Sequence, residues 1–139
     1  MKAEISWLKR MCFTAKGDSN HEVVVEAPEE GQEEKTLGPT PMEIMLIGIG
    51  TCTAADVVWI LKKQHLQLEK FEIRLKAKRA STDPKRFMKI HFEYVFDGKG
   101  LTDKAVSRAI QLSQEKYCSA VSSIVTGGTT ITATHRIIQ

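Results

Sequence analysis

Three cysteines, Cys12, Cys52 and Cys118, are the residues of this chain best suited to covalent chemistry. They stand far apart, with no C-x-x-C and no cysteine/histidine cluster, which speaks against zinc held by a local motif. Their odd number speaks against a structural disulfide framework. With no signal peptide visible between Met1 and Phe13, three free thiols point to a reducing compartment, the cytoplasm. On a helix, Cys52 shares its face with Met45, Gly48, Ile49, Ala55, Asp56 and Trp59. Gly48 and Ala55 are small enough to let another element approach, and a mid-helix glycine costs about 1 kcal/mol against alanine. Cys52 is therefore either a reactive thiol or the inert filling that a buried free cysteine usually is.

Cys118 follows a helical run that should break near Tyr117. If it does, Cys118 opens the next helix, where unpaired amides and the helix dipole favour a thiolate and lower the thiol pKa. Within one continuous helix it would be a half-buried side chain. Asp56 lies one turn beyond Cys52; a carboxylate there raises a thiol pKa, so its expected role is to accept hydrogen bonds from a polar group across a subunit interface, or from a histidine or lysine. Cys12 falls at a strand end and reads as structural. His21, His65, His91 and His135 are scattered over different elements and form no hydrolase-like signature with a cysteine.

The elements that must position these groups follow from the pattern. Ala3–Leu8 and His21–Val25 read as strands, with turn chemistry at Lys16–Asn20. Glu29–Pro39 is acidic and poor in apolar residues, as in a mobile surface loop. Thr40, Pro41 and Glu43 make a capping box with proline at the first helical position. The helix they start runs to about Lys63 and is apolar on nearly every side, which predicts a buried central helix. Its apolar stretch, Ile44–Ile60, is short for a membrane span and carries Asp56. Phe71–Lys78 and Ile90–Phe96 alternate as an antiparallel hairpin with one wet face, and Asp97–Gly100 reads as a turn. Thr102 caps a further helix with Ala105, Val106, Ala109, Ile110 and Leu112 inward. A short helix then ends at Gly127-Gly128, and Thr130–Ile137 forms a last strand. The order is α+β, with helices packed on antiparallel sheet.

Composition bounds the rest. A chain of 139 residues with 42% hydrophobic and 27% charged residues suits one globular domain spanning 1–139. Its net charge is only +3, but ten lysines or arginines face three acids between Lys62 and Lys89. Strand alternation explains most of that cluster as a wet face, without nucleic-acid binding.

Gly38-Pro39-Thr40-Pro41-Met42-Glu43, followed by Gly50-Thr51-Cys52-Thr53-Ala54-Ala55-Asp56-Val57, resembles the central-helix signature of the OsmC/Ohr superfamily. Glu115-Lys116-Tyr117-Cys118-Ser119 resembles its second cysteine motif, and the forms here are most similar to the YhfA-like branch. The resemblance implies an intertwined homodimer with active sites at the subunit interface. It implies that Cys52 attacks an organic hydroperoxide to become a sulfenic acid, that Cys118 resolves it as a disulfide, and that an external dithiol reduces the pair, with no cofactor or metal. Where the family carries a glutamate ten residues ahead of the first cysteine, this chain has Met42. Glu43, nine ahead, lies on the opposite side of a straight helix and fits the capping box. No arginine occurs between Val23 and Pro41, which leaves Arg10 as the candidate activating cation, with Lys16 as another.

Two further readings stand beside the peroxidase. The same fold could serve as a redox sensor or small-ligand-binding module without turnover. The basic cluster could bind nucleic acid, which would show as steep salt dependence. A helix greasy all round in so short a chain also predicts a partner surface, most simply a second copy, and no membrane.

Overall fold

In the computed structural model, which describes residues 1–29 and 36–138, the chain forms two compact units, Met1–Ile47 and the part from Gly48 onward.

The first unit is an antiparallel sheet in the order β1 (Ala3–Lys9), β2 (Cys12–Gly17), β3 (Glu22–Glu26). The expected flanking strands are present, and β2 is an addition between them: Cys-Phe-Thr-Ala-Lys-Gly is too short and mixed to announce itself. Register puts Ile5 opposite Ala15, Trp7 opposite Phe13, and both of those β2 residues opposite Val23 and Val25. Paired residues of antiparallel strands share a face. This sheet therefore presents one wholly apolar face, on which Ile5 is 64% and Trp7 68% exposed. Cys12 is fully buried at the start of β2. Most of the acidic loop, residues 30–35, lies outside the described residues.

α1 runs Pro41–Lys63. Its capping box forms as expected: the Thr40 amide donates to Glu43 Oε2 at 2.7 Å, and the Glu43 amide donates to Thr40 Oγ1 at 3.3 Å. By length and composition the helix could cross a membrane, but six of its residues, Ile49, Gly50, Thr53, Val57, Ile60 and Leu61, are buried within the protein. Gly50 lies so close to Leu75 that a Cβ would meet its side chain. The helix is thus buried along one stripe within a single chain rather than on every side. Gly48, Ala55 and Trp59 are exposed and Cys52 is half-buried.

The second sheet has the order β4 (Gln67–Arg79), β5 (Phe87–Lys99), β6 (Thr130–Ile137). β4 and β5 pair antiparallel, with the basic residues of β4 on its exposed side. β6 pairs with β5 in parallel, so the sheet is mixed rather than antiparallel. The reason is the helical crossover: α2 (Asp103–Leu112) and α3 (Ser119–Val125) return the chain to the end where β5 began, and a strand re-entering there must run parallel. As the middle strand, β5 buries Val95 as well as the alternating Ile90, Phe92, Tyr94 and Phe96, so it has no fully wet face. Asp97–Lys99 continue β5 instead of turning, and the turn begins at Gly100 with φ of 73°. Gly98 is where the strands press together, since a Cβ there would strike the Gln67 carbonyl. The core of this unit is a row of rings: Phe92, Tyr94 and Phe96 stack at 6.1 and 6.2 Å, and Phe71 lies 5.0 Å from Phe96.

Candidate functional site

The helix after β5 starts on Thr102, whose hydroxyl accepts from the Ala105 amide at 3.2 Å, and buries Val106, Ala109 and Ile110. It does not end cleanly. Ser113–Tyr117 form a π-helical turn, in which the Cys118 amide reaches back five residues to the Ser113 carbonyl at 2.8 Å. Such turns carry one extra residue and recur at functional sites. Here the extra residue swings Ser113 and Cys118 together onto α1.

Cys118 is the N-cap of α3, as the sequence suggests. Its Sγ accepts from the Thr53 hydroxyl at 3.2 Å and from the Val121 amide at 3.5 Å. The expected lowering of its pKa does not follow. The side chain is only 2% exposed, and burial pushes the thiol up; the hydrogen bonds from Thr53 and Val121 pull the other way, and neighbouring Cys52 adds to the rise. Desolvation outweighs a helix start of seven residues.

Cys52 and Asp56 are one turn apart on the α1 face that meets Cys118. The Cys52 thiol, an Asp56 carboxylate oxygen and the Cys118 thiol all lie within 4.8 Å of one another. Asp56 finds its partner in the Ser113 hydroxyl, which donates to Oδ2 at 3.2 Å, rather than in a histidine or lysine. Cys52 and Asp56 are half-buried while Thr53, Ser113 and Cys118 are buried, so the cluster opens on the Cys52 side. Tyr94 adjoins the site, its hydroxyl accepting from Gln114 Nε2 at 3.3 Å, and burial holds its phenol well above the usual value. At the rim, Trp59 and Tyr117 meet edge to face at 6.2 Å, with Lys63 over the first ring and Lys116 over the second.

Asp56 thus lies in the cluster, while Glu43, Arg10 and Lys16 have partners within the first unit. Glu43 serves the cap, and its hydrogen bonds to Thr40 hold its carboxyl below the ordinary value. Arg10 adopts φ of 48°, and its guanidinium pairs at 3.2 Å with the buried Glu26, which also accepts from the Leu37 amide at 2.7 Å. Lys16 pairs with Glu4 at 3.2 Å. Thr53, Ser113 and Tyr94 were not legible as site residues. Thr53 beside Cys52 was the nearest signal, whereas Ser113 needs the π turn to reach Asp56. The three-donor cluster had no local motif because its members stand 4 and 62 positions apart in sequence.

Residues 31–134 match the family of OsmC-like proteins. Protein YhfA of Escherichia coli K12 is 32% identical over 138 residues, covering 99% of this chain and 98% of YhfA. The fold is shared with an OsmC-like protein from Mycoplasma pneumoniae (TM-score 0.85, 12% identity, 99% of this chain and 96% of that one). It is shared more distantly with the organic hydroperoxide resistance protein OhrB of Bacillus subtilis (TM-score 0.63, 15% identity, 98% of each chain). By its full-length likeness to YhfA and the family match across most of its residues, this chain belongs to the OsmC-like family.

Proposed function

We propose that the chain is a two-cysteine thiol peroxidase for organic hydroperoxides, acting in the cytoplasm as a homodimer of single OsmC-like domains over residues 1–139. The carrying observation is the pairing of a half-open Cys52 thiol with a buried Cys118 thiol within 4.8 Å. Cys52, as thiolate, attacks the terminal oxygen of the hydroperoxide; the O–O bond breaks, an alcohol leaves after protonation, and Cys52 becomes a sulfenic acid. The Cys118 thiol then attacks that sulfur, expelling water and leaving a disulfide. A dithiol partner returns both thiols, and the cycle uses no metal or organic cofactor. Sulfur atoms at the present separation need side-chain rotation to reach the roughly 2.05 Å of a bond. The exposed Gly48, Ala55 and Trp59 beside Cys52 suit an apolar peroxide and the helix of a second copy. The open face of β1–β3 supports the same dimer, since apolar patches this continuous mark interaction sites.

Mass spectrometry after one equivalent of cumene hydroperoxide tests the roles. The expected products are a Cys52–Cys118 disulfide in the wild type and sulfenate on Cys52 in Cys118→Ser. Oxidation confined to Cys12 would overturn the assignment. A sensor without turnover is the second reading, favoured by Met42 at the glutamate position and by the engagement of Arg10 with Glu26. It is distinguished by a single round of oxidation that an ample dithiol supply fails to repeat.

A further inference from the structure

Asp56 is the residue the peroxide cycle does not use. Its carboxylate is nevertheless held beside the two thiols by a hydrogen bond from the Ser113 hydroxyl. A cation between the three groups would make them one ligand set. We propose that Cys52, Asp56 and Cys118 form a binding site for a borderline-soft divalent cation of the zinc class, and that occupancy and disulfide formation exclude each other.

The donors fit the chemistry. Thiolate and carboxylate are ordinary zinc ligands, and three protein ligands leave a fourth position open. Tetrahedral zinc, with bonds of about 2.3 Å to sulfur and 2.1 Å to oxygen, sets its ligand atoms roughly 3.6–3.8 Å apart. The three atoms already lie within 4.8 Å of one another, so rotation about side-chain bonds closes the remainder. Cys52 and Asp56 sit one turn apart on a helix, the spacing that lets two side chains chelate from one face. The surrounding donors point the right way: Thr53 Oγ1 and the Val121 amide to Cys118 Sγ, and Ser113 Oγ to Asp56 Oδ2. Such partners orient ligands and favour their charged forms. This is the one cluster of three such groups among the described residues, and it opens on the half-buried Cys52 side.

Binding releases two protons, one from each thiol, as two zinc–sulfur bonds form. The exclusion rests on the peroxidase reading. There a hydroperoxide takes the two electrons of the paired thiolates and, with two protons, yields disulfide, alcohol, water and the freed cation. The reduced pair would then hold zinc, and its oxidation by peroxide would release the ion.

The test begins without peroxide. The reduced wild-type chain is titrated with zinc against the chromophoric chelator pyridylazoresorcinol, and separately with cobalt(II). One zinc per chain is expected, with thiolate-to-cobalt charge transfer in the near ultraviolet and the strong visible bands of a tetrahedral ion. Asp56→Asn, Cys52→Ser and Cys118→Ser should lose this binding, Ser113→Ala should weaken it about tenfold, and Cys12→Ser should leave it intact. Far-ultraviolet circular dichroism checks each variant's fold; should the cysteine variants fail to fold, the wild-type cobalt spectrum decides alone. Absence of thiolate charge transfer, or undiminished zinc binding by Asp56→Asn, overturns the site. Peroxide consumption measured with a chelator present tests the catalytic reading separately, so either can fail without the other.

Discussion

The two units of the chain solve the problem of apolar surface in opposite ways. From Gly48 onward, stacked rings on β5, the inner stripe of α1 and the inner faces of α2 and α3 bury one another, and Phe92, Tyr94 and Phe96 are wholly shielded. The sheet of the first unit leaves Ile5, Trp7 and Val23 on an open face. One region closes a core by itself; the other has the composition of half a core. The cysteines follow the same division. Cys12 is buried in the strand sheet, whereas Cys118 is buried among a hydroxyl, an amide and a second thiol. Burial is common to both, and the polar company is what sets Cys118 apart.

That contrast can be broken most forcefully in the closed region. Phe92→Ala should cost about 3–5 kcal/mol of folding stability by urea denaturation, the usual result of emptying a ring-sized core site. A loss below about 1 kcal/mol would mean the ring row is loosely packed. In the open region, Trp7→Ser should change monomer stability by no more than about 0.5 kcal/mol, while weakening the proposed dimer at least tenfold by sedimentation. An unchanged association, or a wild-type chain that sediments as a monomer, would show that this face does not form the proposed dimer. Also in the first unit, at the start of α1, Thr40→Ala should cost about 1 kcal/mol through loss of the cap.

The smallest effect is a titration. Because burial raises the Cys118 thiol pKa, its alkylation by iodoacetamide, followed peptide by peptide, should require higher pH than that of Cys118 in the urea-unfolded chain. The sign for stability is fixed by the same shift. As pH rises past the ordinary thiol value, the unfolded chain loses its proton while the folded one keeps it, so stability falls until the folded pKa is also passed. A Cys118 alkylated as readily folded as unfolded would contradict the shift.

How much of this was legible in the sequence depended on the range of the signal. The limits of α1 and β6 could be read because caps, glycines and alternation are local. Motifs around Cys52 and Cys118 single out both residues, and folding brings their thiols within 4.8 Å of each other. The parallel seating of β6 could not, since pairing between strands separated by some thirty residues leaves no mark on either. The Ser113–Asp56 bond needed a helix of irregular pitch. The direction of the Cys118 pKa shift needed a quantity, depth of burial, that sequence supplies only on average; the helix-start argument chose the right position and the wrong winner.

The π turn at Ser113–Tyr117 makes the placement of the second sulfur a matter of counting. Each residue of an α-helix advances the chain by about 100°. Removing a single residue from this turn would let the hydrogen-bond ladder regularise and would carry every later side chain around the axis by about that angle. Sequence composition would hardly change, yet the thiol would be aimed elsewhere. Segment length here is therefore as strict a requirement as residue identity, and an alignment that tolerates a gap between these two positions would be aligning letters while losing the chemistry.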